Sequence, residues 1–180
     1  MYMCIRDGKI TREDPHGGDG AEMGIDNKTR NEPKPKIGQF TSWRPPDVSF
    51  WKINTDAATK YKDCLIDLGF IIRDVDGKVK TAAALKITVT FSPVVVEALA
   101  VKCGIAKAVE LGLIPFQLET DSLHVVQLIH CGETSSADVG PVITDNVDSL
   151  QRLPSWSINF VPRSGNATAH SLAKIALFRV

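Results

Sequence analysis

The stretch Trp51-Lys52-Ile53-Asn54-Thr55-Asp56 alternates with period two, setting Trp51, Ile53 and Thr55 on one face of a strand and Lys52, Asn54 and Asp56 on the other. Leu68-Gly69-Phe70-Ile71-Ile72-Arg73 reads as a second strand, and the Asp74-Val75-Asp76-Gly77 turn after it suits a hairpin. Val79 to Ile87, rich in small and β-branched residues, predicts a third. Three consecutive strands joined by short turns imply an antiparallel meander. Beyond them the period changes. Pro93 to Gly112 is the clearest helix, with proline in its first turn and Gly112 after its last apolar position. Strand returns at Phe116 to Thr120, helix at Ser122 to Ile129, and helix again at Ile143 to Leu153, where Pro154 stops it. Trp156 to Val161 is the last strand, and Asn166 is placed to cap a final helix ending near Leu177. Hairpins first and crossovers after give the order β-β-β-α-β-α-α-β-α. That order predicts an α/β fold with a five-stranded mixed sheet flanked by helices.

Toward the N-terminus the chain changes character. Thr11 to Gln39 is rich in glycine, proline and charge, as in Asp14-Pro15-His16-Gly17-Gly18-Asp19-Gly20 and Pro33-Lys34-Pro35-Lys36. Such a segment cannot bury enough apolar surface to offset its ordering entropy. Residues 1–42 are therefore expected to form a flexible, disordered leader, and residues 43–180 the folded domain. Trp43-Arg44-Pro45-Pro46 marks the boundary as stiff extended chain.

Composition sets outer limits. The 180 residues are 43% hydrophobic, enough for an ordinary core, and the 21 Lys and Arg balance the 21 Asp and Glu. Attraction to nucleic acid must then come from local patches or bound metal, because bulk charge supplies none. Cys4, Cys64, Cys103 and Cys131 are far apart, a spacing that suits neither a zinc site nor a disulfide scaffold. No apolar run approaches the roughly 20 residues that span a bilayer, and Met1 to Ile10 has no secretory signal. An intracellular, monomeric protein of nucleus or cytoplasm is expected, neither secreted nor bound to a membrane.

The acidic residues carry the chemistry. Val94, Glu97, Val101, Ile105 and Ala108 share one stripe of the long helix, and Glu97 is its only charge. A carboxylate aimed at an apolar interface costs several kcal/mol or neutralises itself unless a cation is near. Asp56 ends the first strand on its polar side, and Asp121 ends the fourth where strand gives way to helix. Ligands of open α/β sheets collect beyond such strand ends, and clustered hard oxygens suit Mg2+ or Mn2+. Each residue alone also has an ordinary explanation. Asp121 could cap the following helix, and Glu97 could sit at a solvated margin.

At these same positions the sequence resembles the type 1 ribonuclease H domain, and within it the retroelement-related, reverse-transcriptase-like members common in plants. The matching segments are Trp51-Lys52-Ile53-Asn54-Thr55-Asp56-Ala57, Gly69-Phe70-Ile71-Ile72-Arg73-Asp74, Val96-Glu97-Ala98-Leu99-Ala100, Leu118-Glu119-Thr120-Asp121-Ser122 and Asn166-Ala167-Thr168-Ala169-His170-Ser171-Leu172-Ala173. They run from about Trp43 to Leu177 in the family's order and topology. The resemblance implies hydrolysis of the RNA strand of an RNA–DNA hybrid with two Mg2+ ions, Mn2+ being able to substitute. Asp56, Glu97, Asp121 and His170 would form the catalytic and metal-binding set. Lys60, Lys62, Ser122, Arg163 and Asn166 would contact nucleic acid, and Lys52 is a further available cation. Such an enzyme distinguishes RNA by its 2′-hydroxyl and the hybrid's shape.

The sequence departs from the family pattern in several places. His170 stands where the last carboxylate is usual, and either a metal-facing role or a polar position beside Ala169, Leu172, Ala173 and Ala176 fits it. Ala57 follows Asp56 where glycine is usual. The link Pro162-Arg163-Ser164-Gly165 has no histidine for the mobile role seen in bacterial members. Between Lys107 and Arg152 there is no lysine or arginine, so weak hybrid binding with a shallow salt dependence is expected. These departures favour an alternative, a catalytically weak or inactive nucleic-acid- or protein-binding module of retroelement origin.

Overall fold

Alternation along Trp51–Lys60 produces the central strand β1. In the computed structural model, which describes residues 3–6, 9–12, 42–60, 64–132 and 136–178, the folded part is a mixed sheet with helices on both faces. Lys62 and most of the expected leader lie outside these residues. Within the leader, Met3–Arg6 and Lys9–Arg12 pair as an antiparallel ribbon.

The remaining elements are β2 (Leu65–Arg73), β3 (Val79–Thr88), α1 (Pro93–Glu110), β4 (Phe116–Thr120), α2 (Leu123–Cys131), α3 (Gly140–Gln151), β5 (Trp156–Phe160) and α4 (Ala167–Phe178). The sheet order is β3-β2-β1-β4-β5, with β1 antiparallel to β2 and parallel to β4. The predicted element order and sheet are both present. Boundaries moved where local signals were read too narrowly: β1 does not end at Asp56, its expected end, but runs on to Lys60 because Ala57 to Lys60 pair with β2. β2 begins at Leu65 because Leu65 to Asp67 already pair with Ala58 to Lys60. α3 begins near Gly140 because Pro141 is tolerated in a first helical turn.

Both faces of β1 are buried. Ile53 and Thr55 lie under α1, where Gly104 brings the helix close enough that a Cβ would stand 2.8 Å from Thr55 Cγ2. Ile53, Phe70, Val101, Ile105, Leu118 and Ile158 belong to the core on this side. α1 packs against α3 as well as the sheet, so its burial reaches beyond the predicted stripe to Val95, Val96 and Ala98.

The polar face of β1 is covered by α4 and by the entry segment. Trp43 Nε1 donates to Asn54 Oδ1 at 2.9 Å, and the Arg73 guanidinium sits 4.4 Å from the centre of the Trp43 ring. Asn54 Nδ2 and Lys52 Nζ both donate to Glu119, at 2.9 and 2.5 Å. Lys52 is thus 6% exposed and spent on an internal ion pair, which corrects its reading as a cation available to phosphate. No helix among the described residues is long and apolar enough to cross a membrane.

α4 approaches the sheet at Gly69. A Cβ there would stand 2.6 Å from both the Ala169 carbonyl oxygen and the Ala173 nitrogen, which are helix backbone and cannot step aside. Gly69→Ala is therefore expected to lower stability by about 1–3 kcal/mol, the usual scale of core overpacking. Urea denaturation reads this directly, and an unchanged midpoint would contradict the packing described.

Candidate metal centre

Parallel pairing of β1 and β4 ends with Thr55 opposite Thr120. The next residue of each strand is an aspartate, so Asp56 and Asp121 leave the last rung side by side. Pro93 starts α1 one turn before Glu97, and α1 packs on β1, which brings Glu97 to the same point. Ligand oxygens of Asp56, Glu97 and Asp121 all lie within 4.8 Å of one another. The bland explanations do not hold here. Asp121 does not cap α2, whose N-cap residue Ser122 makes no side-chain cap bond. Glu97 is not at a solvated margin, since its Oε2 is buried.

The partners of each carboxylate differ. Asp121 accepts from Arg163 Nε at 3.0 Å and from Asn166 Nδ2 at 3.1 Å. Asp56, fully buried, meets His170 Nδ1 through Oδ2 at 2.7 Å. Asp56 Oδ1 and Glu97 Oε2 are buried with no hydrogen-bond partner. Unsatisfied buried oxygens are costly, and costlier still when charged.

Protonation follows from this packing. Burial, reinforced by the charges of Asp56 and Asp121, pushes Glu97 up to about 8, against the opposing pull of Arg163 and the Ala57 amide. Burial and then Asp121 raise Asp56 to about 6, with His170 partly offsetting them. Burial also works to raise Asp121, but its interactions with neighbouring Asp56, Arg163 and Asn166 outweigh it and hold that carboxyl below its ordinary range. Three carboxylates this close do not all ionise in the chain alone. A divalent cation would change that. An all-oxygen anionic set with two orphaned atoms suits a hard ion such as Mg2+ or Mn2+.

The other expected site residues fall in different places. His170 bonds Asp56 and is not a member of the three-carboxylate group. Asn166 is buried, and its carbonyl accepts the first helical bond of α4 from the His170 amide. Contrary to the sequence expectation, its side chain does not cap that helix. Nδ2 reaches instead to the Thr55 carbonyl at 2.8 Å and to Asp121, while Oδ1 has no partner. Arg163, 65% exposed, enters the site from the link that has no histidine. The Ser122 amide donates to Thr120 Oγ1, and Lys60 is exposed at the far end of β1. The close approach at Gly69, which seats His170 and Asn166, was not read from sequence. A glycine inside an apolar strand is the signal that could have shown it.

A stability prediction follows with a definite sign. Between pH 4.5 and about 8 the folded chain keeps a proton on Glu97 that the unfolded chain has released. Stability of the metal-free protein should therefore fall as pH rises through that window. Asp56 adds in the same sense from 3.8 to about 6, and Asp121 acts oppositely only below 3.8. Melting temperature in chelator should decline across the window, Glu97→Gln should flatten the decline, and millimolar Mn2+ should raise the curve most at its alkaline end. A flat wild-type profile would contradict the assigned burial.

Comparison with known proteins agrees with this architecture. A family model described as reverse transcriptase-like matches residues 54–176. Ribonuclease H1 from the halophilic archaeon Halobacterium salinarum is similar with a TM-score of 0.65 at 24% identity, covering 71% of this chain and 96% of that one. An N-terminal ribonuclease H domain from Mycobacterium tuberculosis gives 0.64 at 21% identity, over 71% and 92%. A ribonuclease H1 isolated from compost and solved with an RNA/DNA hybrid gives 0.62 at 18%, over 71% and 99%. No curated protein sequence gives a significant match. The fold is that of ribonuclease H, and the family match extends over more than half of the sequence. The chain belongs to the reverse transcriptase-like family.

Proposed function

We propose that this chain is a metal-dependent endonuclease that hydrolyses the RNA strand of RNA–DNA hybrids. The supporting observation is the convergence of Asp56, Glu97 and Asp121 from three separate elements, with Asp56 Oδ1 and Glu97 Oε2 buried and unpartnered. The likeness to a ribonuclease H1 solved with an RNA/DNA hybrid favours the same substrate. A plant-type retroelement lineage is part of the proposal, supported by His170 in the last motif.

Asp56, Glu97 and Asp121 would hold Mg2+ or Mn2+, two ions being the family expectation. Bound there, the metal supplies Lewis-acid activation of phosphodiester hydrolysis. The chain itself does the positioning. Asn166 ties Asp121 to the carbonyl of Thr55, fixing β1 and β4 relative to each other where their pairing stops. Arg163 bonds Asp121 through Nε, and its terminal nitrogens can meet a phosphate oxygen from the solvent side. Arg163 thereby brings a charged side chain from the loop where bacterial members carry histidine. Ser122 and Lys60 are the remaining proposed contacts, with the RNA strand selected by shape and 2′-hydroxyl.

One observation favours the non-catalytic alternative. Both Asp121 oxygens already accept hydrogen bonds from the chain, which partly balances the site without an ion. A labelled hybrid incubated with Mg2+ or Mn2+ separates the readings. Wild type should cleave the RNA strand, and Asp121→Asn should fall to background. Arg163→Ala should weaken hybrid binding about tenfold, the scale of one lost charge-assisted bond. Hybrid binding by wild type without cleavage above the Asp121→Asn control would establish the module instead.

A further inference from the structure

We infer that His170 is a positioning residue that aims Asp56, and is not itself a metal ligand; the inference rests on the metal-site reading above. His170 and Asn166 are one helical turn apart at the start of α4, and their side chains reach the two aspartates that follow the last β1–β4 rung. Asn166 Nδ2 takes Asp121 Oδ1, and His170 Nδ1 takes Asp56 Oδ2. An ionised carboxylate only accepts hydrogen bonds, so with a cation bound at Asp56 the proton of this contact sits on Nδ1. A nitrogen that donates a proton has no lone pair left for a metal.

The bond also distinguishes the two oxygens of Asp56. Oδ2 is engaged by the imidazole, while Oδ1 stays buried and unpartnered. Holding Oδ2 restricts the carboxylate's rotation and would leave Oδ1 free to serve as the ligand atom. The three-carboxylate group closes without His170, which agrees with this division of roles. α4 can act as such a clamp because Gly69 seats it against β2 at Ala169 and Ala173, on either side of His170. Hydrogen-bond partners that orient metal ligands, without touching the metal, are worth roughly 10–100-fold in metal affinity elsewhere.

Replacement by two amides distinguishes positioning from ligation. The amide nitrogen of asparagine lies near the place of Nδ1, and that of glutamine near the place of Nε2. Mn2+ affinity, measured by calorimetry on the full chain, should be held within a few-fold by His170→Asn and fall roughly tenfold or more in His170→Gln and His170→Ala. Retention by glutamine with loss by asparagine would overturn positioning and assign ligation through Nε2. Wild-type affinity in all three variants would overturn any role for His170 toward the metal. Electron spin echo measurements on Mn2+-loaded wild type give a reading that needs no variant, and should lack the nitrogen modulation of a directly bound imidazole. Its presence would overturn the inference. Failure of wild type to bind Mn2+ would overturn it together with the metal site, an outcome distinct from binding that asparagine fails to preserve.

Discussion

The parallel ladder between β1 and β4 is the contact on which the site depends. It stops at Thr55 opposite Thr120, so the following residues, Asp56 and Asp121, stand side by side with little or no exposure. A shift of one residue in either strand would turn its aspartate to the opposite face. Register is fixed by the apolar side of the strands, since Ile53 and Leu118 are both fully buried in the same core. The same burial that defines the fold thus brings acidic groups into a poorly solvated place. Coulomb repulsion and desolvation then act together on Glu97 and Asp56, and a divalent cation relieves both.

The rest of the molecule holds this arrangement from behind. α4 is pressed to the sheet at Gly69, and its first turn carries Asn166 and His170 to the two aspartates. Further from the carboxylates, Trp43, Asn54, Glu119, Lys52 and Arg73 form a largely buried polar assembly on the same face. Burying the lysine and glutamate is tolerable because they are paired at 2.5 Å and Glu119 accepts a further bond from Asn54. The entry segment therefore does more than lead into the domain. It covers the polar side of β1 that α4 leaves open.

Much of this was legible in sequence, and the limits have physical reasons. Alternation in Trp51 to Asp56 identified the strand and its faces, and the lone charge on the α1 stripe identified Glu97. Those signals are local, spanning a few residues at a known period. The signals that failed are long-range. Lys52 looked like a free cation because Glu119, its partner, is 67 residues away. Asn166 looked like a helix cap because that is what an asparagine at that position usually does. Its actual partners, Thr55 and Asp121, are set by how α4 packs. Arg163 was named as a nucleic-acid contact, but its bond to Asp121 could be seen only once β4 and the link before α4 were placed side by side.

The chemistry stands or falls on whether the buried carboxylates take a cation. The direct measurement is calorimetric titration of Mn2+ into the metal-free chain near neutral pH, repeated in buffers of different ionisation heat. Glu97, held up to about 8, should give up its proton as the ion enters. Binding should then release about one proton per ion, and Asp56→Asn should weaken it severely. Mn2+ binding that releases no proton and survives Asp56→Asn would place the ion elsewhere and contradict the site.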